Sequence, residues 1–179
     1  KLTLATTRRY NMANTTFTGP VRSESTLKTV SKNATTGTIT EVTTLGDAPV
    51  SLADADVTLT NATHSGRILL VPDGGQDNTY TLPAPIAGSV FRFVYAGGAA
   101  DATDAIIVTP GNTNFYVGGV TFLDSDNEVS SVFSDGNSNS SIQINVPAGF
   151  DITIIGKDST NYQIFGNVTS ATAPAFADQ

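Results

Sequence analysis

Residues 69–95 read "LLVPDGGQDNTYTLPAPIAGSVFRFVY". Leu69, Leu70 and Val71 make a short apolar run that Pro72 closes. "NTYTLP" then alternates, with Tyr80 and Leu82 on one side of an extended chain. "SVFRFVYA" places Phe91, Phe93 and Tyr95 on one face and Arg92 and Val94 on the other. That period of two is the mark of a strand with one buried side. Asp73-Gly74-Gly75 and Pro83-Ala84-Pro85 separate the runs, and these are turn residues. The stretch therefore predicts strand, turn, strand, turn, strand.

The same pattern extends in both directions. "TGTITEVTTL" (36–45), "ADVTLTNA" (55–62), "DAIIVTP" (104–110), "NFYVGGVTFL" (114–123), "SSVFS" (130–134), "SIQINVP" (141–147), "FDITIIG" (150–156) and "NYQIFGNV" (161–168) are short apolar or alternating runs bounded by Gly, Pro, Asn and Asp. Only "SLADAD" (51–56) offers so much as one helical turn. About ten short strands spaced about 8–12 residues apart predict an all-β fold, an antiparallel sandwich or barrel. "PDGGQDN" and "SDGNSNSS" read as its hairpin turns. Phe91/Phe93/Tyr95 and Phe115/Val117 read as core faces. "SVFSDGNSNSSIQINVPAGFDITII" (131–155) echoes the opening stretch: a strand, Asp-Gly, a polar loop, an alternating strand, a Pro-containing turn and a last apolar strand. A duplicated unit and the ordinary recurrence of hairpins both account for the echo, and recurrence is the favoured account.

Composition agrees with strands. The 179 residues are 39% hydrophobic and only 14% charged, and Thr, Ser, Asn and Gly supply the balance, which disfavours long helices. Cysteine is absent, so no disulfide or thiolate chemistry arises. No apolar run reaches the roughly 18 residues of a membrane span, and no membrane partner is expected.

Charge divides the chain. Lys1, Arg8, Arg9, Arg22, Lys28 and Lys32 face Glu24 alone in residues 1–32, while the whole chain carries a net −7. Residues 1–32 also lack either apolar period. They predict an extended basic N-terminal arm, and residues 33–179 predict the β body with an extended Ala-, Thr- and Pro-rich tail. Such an arm docks on something negative or is simply a solvated tail. The acidic body repels phosphate, so nucleic acid is not an expected partner. Met12 is the chain's one methionine, and "MANTTFTGPVRSE" (12–24) has the look of a start. The segment before it contributes Lys1, Arg8 and Arg9 and so continues the arm's chemistry. Two readings remain, translation from a point upstream of Met12 and a foreign leader, and the first is the favoured one.

Motifs for catalysis are weak. His64 is the lone imidazole, it lies in the turn-like "NATHSGR", and no nucleophile elbow accompanies it. "DSDNE" sets Asp124, Asp126 and Glu128 at alternate positions, which suits either a Ca²⁺ site or a solvated loop that blocks edge pairing. The sixth position of a calcium loop calls for Gly, and here it is Val129, which favours the solvated loop. "PDGGQDN" lacks the Lys-Ser/Thr of a phosphate loop. No cofactor is implied, and a structural or binding protein is expected, not an enzyme.

"MANTTFTGPVRSE" with "VSKNATTGTITE" (30–41), "SGRILLVPDGGQDNTYTLPAPIAGSVFRFVYAG" (65–97), "GGVTFLDSDNEVSSVFSDGNSNSSIQI" (118–144) and "APAFADQ" (173–179) resemble small virion structural proteins of marine tailed bacteriophages, most of all capsid decoration (cement) proteins. The resemblance implies a trimer on the outer surface of the phage head that clamps the major capsid protein lattice. It implies that the arm binds that lattice through Arg8, Arg9, Tyr10, Phe17, Val21, Arg22 and Lys28, with strand pairing along "ANTTFTGPV". A tail-fibre or receptor-binding module that recognises host glycan through "DGGQDN" and "DSDNE" is the alternative.

Overall fold

The computed structural model of the chain describes residues 29–33, 35–42, 48–98, 100, 102–124 and 129–179. The chain divides into two compact units, residues 1–45 and 46–179. In the first, β1 (Thr29–Lys32) and β2 (Ile39–Val42) form an antiparallel hairpin with Lys32 opposite Ile39. Asn33 closes it, its Oδ1 accepting the N–H groups of Thr35 and Thr36 at 2.9 and 3.0 Å. Gly37 takes the left-handed φ of 73° that the turn requires. The 32/33 division expected between arm and body falls in this turn.

The second unit holds β3 (Val50–Ser51), β4 (Val57–Thr58), a single helical turn α1 (Asn61–His64), β5 (Arg67–Val71), β6 (Asn78–Thr81), β7 (Val90–Tyr95), β8 (Ala105–Val108), β9 (Phe115–Asp124), β10 (Val129–Phe133), β11 (Ser141–Ile144), β12 (Pro147–Gly156), β13 (Asn161–Ser170) and β14 (Ala175–Ala177). They form a seven-stranded sheet, in the order β10-β9-β13-β12-β7-β5-β3, and a five-stranded sheet, β14-β11-β8-β6-β4. The fold is all-β, as the alternation predicted. Both sheets keep open edges, so no barrel closes.

The expected antiparallel pairing holds for only part of the unit. From β3 to β8 the chain alternates sheets at every strand. A strand that returns to its own sheet after two crossings, out and back, here runs in its former direction. Hence β3, β5 and β7 are parallel neighbours in the large sheet, with Val50 beside Leu69 and Leu69 beside Phe93. β4, β6 and β8 are parallel neighbours in the small one, with Val57 beside Tyr80 and Tyr80 beside Ile107. The second half adds antiparallel pairs, β9–β10, β12–β13, β7–β12 and β8–β11, and one parallel pair, β9–β13. "PDGGQDN" joins β5 to β6 and "SDGNSNSS" joins β10 to β11, so both cross between sheets and neither is a hairpin turn. The echo between residues 69–95 and 131–155 has a matching topology. Both segments run large sheet, small sheet, large sheet, although their strands have different neighbours.

Side chains from both sheets form one core that includes Leu69, Tyr80, Phe91, Phe93, Ile107, Ile142, Ile152 and Tyr162. Phe91, Phe93 and Tyr95 point inward as expected. Phe115 and Val117 do not. The buried phase of β9 is Tyr116, Val120 and Phe122, which leaves Phe115 and Val117 half-buried on the opposite face. The phenols need polar partners at this depth. Tyr162 donates to Pro83 O at 2.8 Å and Tyr116 to Ile107 O at 3.2 Å. Burial pushes both phenols above their ordinary ionisation range.

The stacked crossings are tied by carboxylates. Asp54, after β3, accepts Gly75 N–H at 3.0 Å from the β5–β6 crossing and Asn78 Nδ2 at 2.8 Å from the start of β6. Asp56 accepts Thr79 N–H at 2.8 Å. Asp77, after β5, accepts Asp104 N–H at 2.9 Å. Asp104, after β7, accepts Val146 N–H at 2.9 Å and Gln143 Nε2 at 2.6 Å. Val146 has φ 42°, the one positive φ of a non-glycine among the described residues, and a β-branched residue there is strained. Removal of the Asp104 carboxylate leaves that N–H without its acceptor. Asp104→Ala is expected to lower unfolding free energy by about 1–3 kcal/mol, read by urea denaturation; a loss below about 0.5 kcal/mol, the scale of an ordinary surface substitution, contradicts the ladder's structural role.

Candidate functional site

The outer face of the large sheet carries a shallow groove of about 260 Å³ lined by Arg92, Asp151, Thr153, Phe165, Gly166 and Asn167. Alternation sets these side chains outward. On β7, Phe91 and Phe93 fill the core, so Arg92 between them faces solvent. On β12, Phe150, Ile152 and Ile154 point in, so Asp151 and Thr153 point out. Phe165 lies opposite Thr153, and Thr153 opposite Arg92; Asn167 lies opposite Asp151. Two adjacent cross-strand rows thus bring an aromatic ring, an amide, a hydroxyl, a carboxylate and a guanidinium together.

Two features fix the groove's shape. Arg92 grips Asp151 with both ends of its fork: Nε donates to Oδ1 at 2.9 Å and Nη2 to Oδ2. Gly166 brings β13 down on β12, because a Cβ there would lie 2.2 Å from Asp151 O. That bare step forms the floor between Phe165 and Asn167. Phe165 is left 47% exposed.

Hydrogen bonds from Arg92 hold the Asp151 carboxyl below its ordinary range against the opposing pull of desolvation. A depressed carboxylate stabilises the fold above its unfolded pKa, about 3.9, and that contribution fades as pH falls below it towards the folded value. The pair is solvent-exposed and contributes only about 0–1 kcal/mol. In Arg92→Ala, carboxyl-carbon NMR is expected to show the Asp151 titration midpoint moving upward, with stability at neutral pH changed by less than about 1 kcal/mol. A midpoint that stays where it was refutes the Arg92 assignment.

Other polar sequence motifs are occupied within the fold. Asp135 gathers the "SDGNSNSS" crossing, its Oδ1 accepting the N–H groups of Asn137, Ser138 and Asn139 and its Oδ2 the Ser138 hydroxyl at 2.6 Å. These bonds depress its ionisation strongly, with the Ser138 hydroxyl first among them. His64 ends α1 with Nδ1 3.0 Å from Thr60 N, so it folds back on the start of its own turn. At the large sheet's edge, Phe133 and Val129 are 71% and 68% exposed. Phe133 lies over the bare Gly119 of β9, where an added Cβ would come 2.9 Å from its ring.

The expected arm residues Arg8, Arg9, Tyr10, Phe17, Val21, Arg22 and Lys28 lie outside the described residues. So do Asp126 and Glu128, while Asp124 ends β9. Among the described residues no three His, Cys, Asp or Glu side chains gather as a metal-binding group, and no helix is long and apolar enough to cross a membrane. The groove was not anticipated from sequence. Its signal is Ile164-Phe165, two consecutive large apolar residues in an alternating strand, one of which must face out. No protein-family model and no curated protein matches the chain.

Proposed function

We propose that the chain is a capsid decoration protein without catalytic activity, which binds the outer surface of a phage head as a homotrimer and braces the major capsid protein lattice. The observation that carries this reading is the segregation of charge: residues 1–32 hold six of the nine Lys and Arg residues, and the whole chain is net negative. A basic segment beside an acidic body suits docking on an acidic lattice while the body keeps particles soluble and apart. The resemblance of most of the chain to virion structural proteins supports the same assignment. Exposed ion pairs contribute about 0–1 kcal/mol each, so strand pairing by "ANTTFTGPV" and the apolar anchors Phe17 and Val21 carry most of the affinity. Three copies at one site raise weak contacts to stable attachment.

The test uses heads that lack the protein. The full chain is expected to bind them at a copy number set by the shell lattice, and a chain without residues 1–24 is expected to bind at least tenfold more weakly. Undiminished binding by the shortened chain overturns the arm's role, and a few copies confined to the tail point to adhesion. Sedimentation of the purified protein and of the capsid-bound form checks the trimer.

A further inference from the structure

We propose that the groove between β7, β12 and β13 is a binding site for a neutral saccharide, with one pyranose ring stacked on Phe165. This inference does not rest on the capsid reading. It rests on the chemistry of the six lining groups and on what their strands exclude.

All three strands are interior to the sheet, each hydrogen-bonded to a neighbour on both sides. Their main chain is committed, so a peptide has no strand edge to join here. Recognition must come from side chains. Arg92 and Asp151 neutralise each other through a two-point contact. An anionic ligand would meet the Asp151 carboxylate, and a cationic one the Arg92 guanidinium. A lipid tail would find one exposed ring among polar groups. What remains is a neutral ligand with one apolar face and many hydroxyls.

A pyranose has that character. Its C–H face packs on an aromatic ring, and its edge presents hydroxyls that both donate and accept. Phe165 supplies the ring. Asn167, on the same strand and the same face, supplies an amide that donates and accepts. Asp151, opposite Asn167, supplies carboxylate lone pairs beyond the two that Arg92 occupies, and Thr153, opposite Phe165, supplies a hydroxyl. Arg92 donates from the far side. The groups sit on paired strands and not on loops, so their spacing is set before the ligand arrives, which lowers the entropy lost on binding. Gly166 lets β13 close on β12, where a Cβ would meet Asp151 O at 2.2 Å, and so holds Phe165 and Asn167 beside Thr153 and Asp151. The volume of about 260 Å³ suits one or two sugar rings. The loops "DGGQDN" and "SDGNSNSS" fit a ligand less well, since Gly75 N–H, Asp77 and Asp135 already serve the fold.

The experiment is an amide NMR titration of the full chain with glucose, galactose, mannose and N-acetylglucosamine, each raised through the millimolar range where single-ring affinities fall. At least one sugar is expected to give saturable shifts centred on Arg92, Asp151, Thr153, Phe165 and Asn167. Phe165→Ala is expected to abolish them without change in thermal midpoint, because the ring is half exposed. Asp151→Asn is expected to weaken binding at least tenfold. Absence of shifts with all four sugars, or shifts that survive Phe165→Ala, overturns the proposal. Neither result bears on capsid binding, which is read from copy number on heads.

Discussion

The hydrogen bond that a later backbone N–H donates to the aspartate of an earlier crossing is the interaction on which the body depends. A chain that alternates between two sheets has no hairpin turns to set its register through β3–β8. Each crossing also leaves backbone N–H groups outside any ladder, and these need acceptors. Asp54, Asp56, Asp77 and Asp104 meet both needs, since Asp54, Asp77 and Asp104 each reach to a later connection and Asp56 to strand β6, fixing their heights. Carboxylate suits the task because it accepts at two oxygens and donates nothing. Asp54 and Asp104 both use the two, one on backbone N–H and one on an amide side chain. Parallel neighbours β5 and β7 can then align Leu69 with Phe93, which closes the core over Tyr80 at a centroid distance of 6.3 Å from Phe93.

This arrangement explains why strand content was legible in the sequence and strand direction was not. Period-two alternation reports which face a residue occupies. It placed Tyr80 with Leu82, and Phe91 with Phe93 and Tyr95, each set on one side of its strand, and all five are buried. It carries no information about which strand lies alongside. Asp-Gly reads as a hairpin signal because that dipeptide serves tight turns. In "PDGGQDN" the same residues serve a crossing: the glycines let the chain pass close to Asp54, and Asp77 reaches onward to Asp104. The misplacement of Phe115 and Val117 has a related origin. "NFYVGGV" gives apolar residues in both phases, and the phase that wins is the one that brings Tyr116 to Ile107 and to Tyr162, at 6.4 Å between rings.

The groove follows from the same periodicity read one residue out of phase. Ile164 is buried, so Phe165 must face solvent, and Gly166 after it permits the close approach of β13 to β12. These facts sit in "QIFGN" as a local conflict: Phe165 stands where alternation calls for a polar residue, and Gly166 where it calls for an apolar one. Arg92 and Asp151 are each visible as the one charged residue in an apolar strand. What the sequence does not contain is the pairing of β7 with β12, separated by the whole of β8–β11, which makes them neighbours. The site is therefore legible in its parts and illegible as an assembly.

The ladder also changes the meaning of the acidic charge. Composition reads the body's aspartates as a solvating surface, yet Asp54, Asp56, Asp77, Asp104, Asp135, Asp151 and Asp158 each accept hydrogen bonds from their own chain. Hydrogen bonds depress Asp135, Asp151 and Asp158, so these three stay ionised to lower pH than an ordinary aspartate. A carboxylate held by backbone N–H groups contributes to the protein's long-range field but has fewer lone pairs left for a partner's cation. The body's charge then acts mainly as diffuse repulsion towards acidic surroundings. Under the capsid reading, specific attraction has to come from the basic residues 1–32, so the two ends of the charge distribution do different physical work.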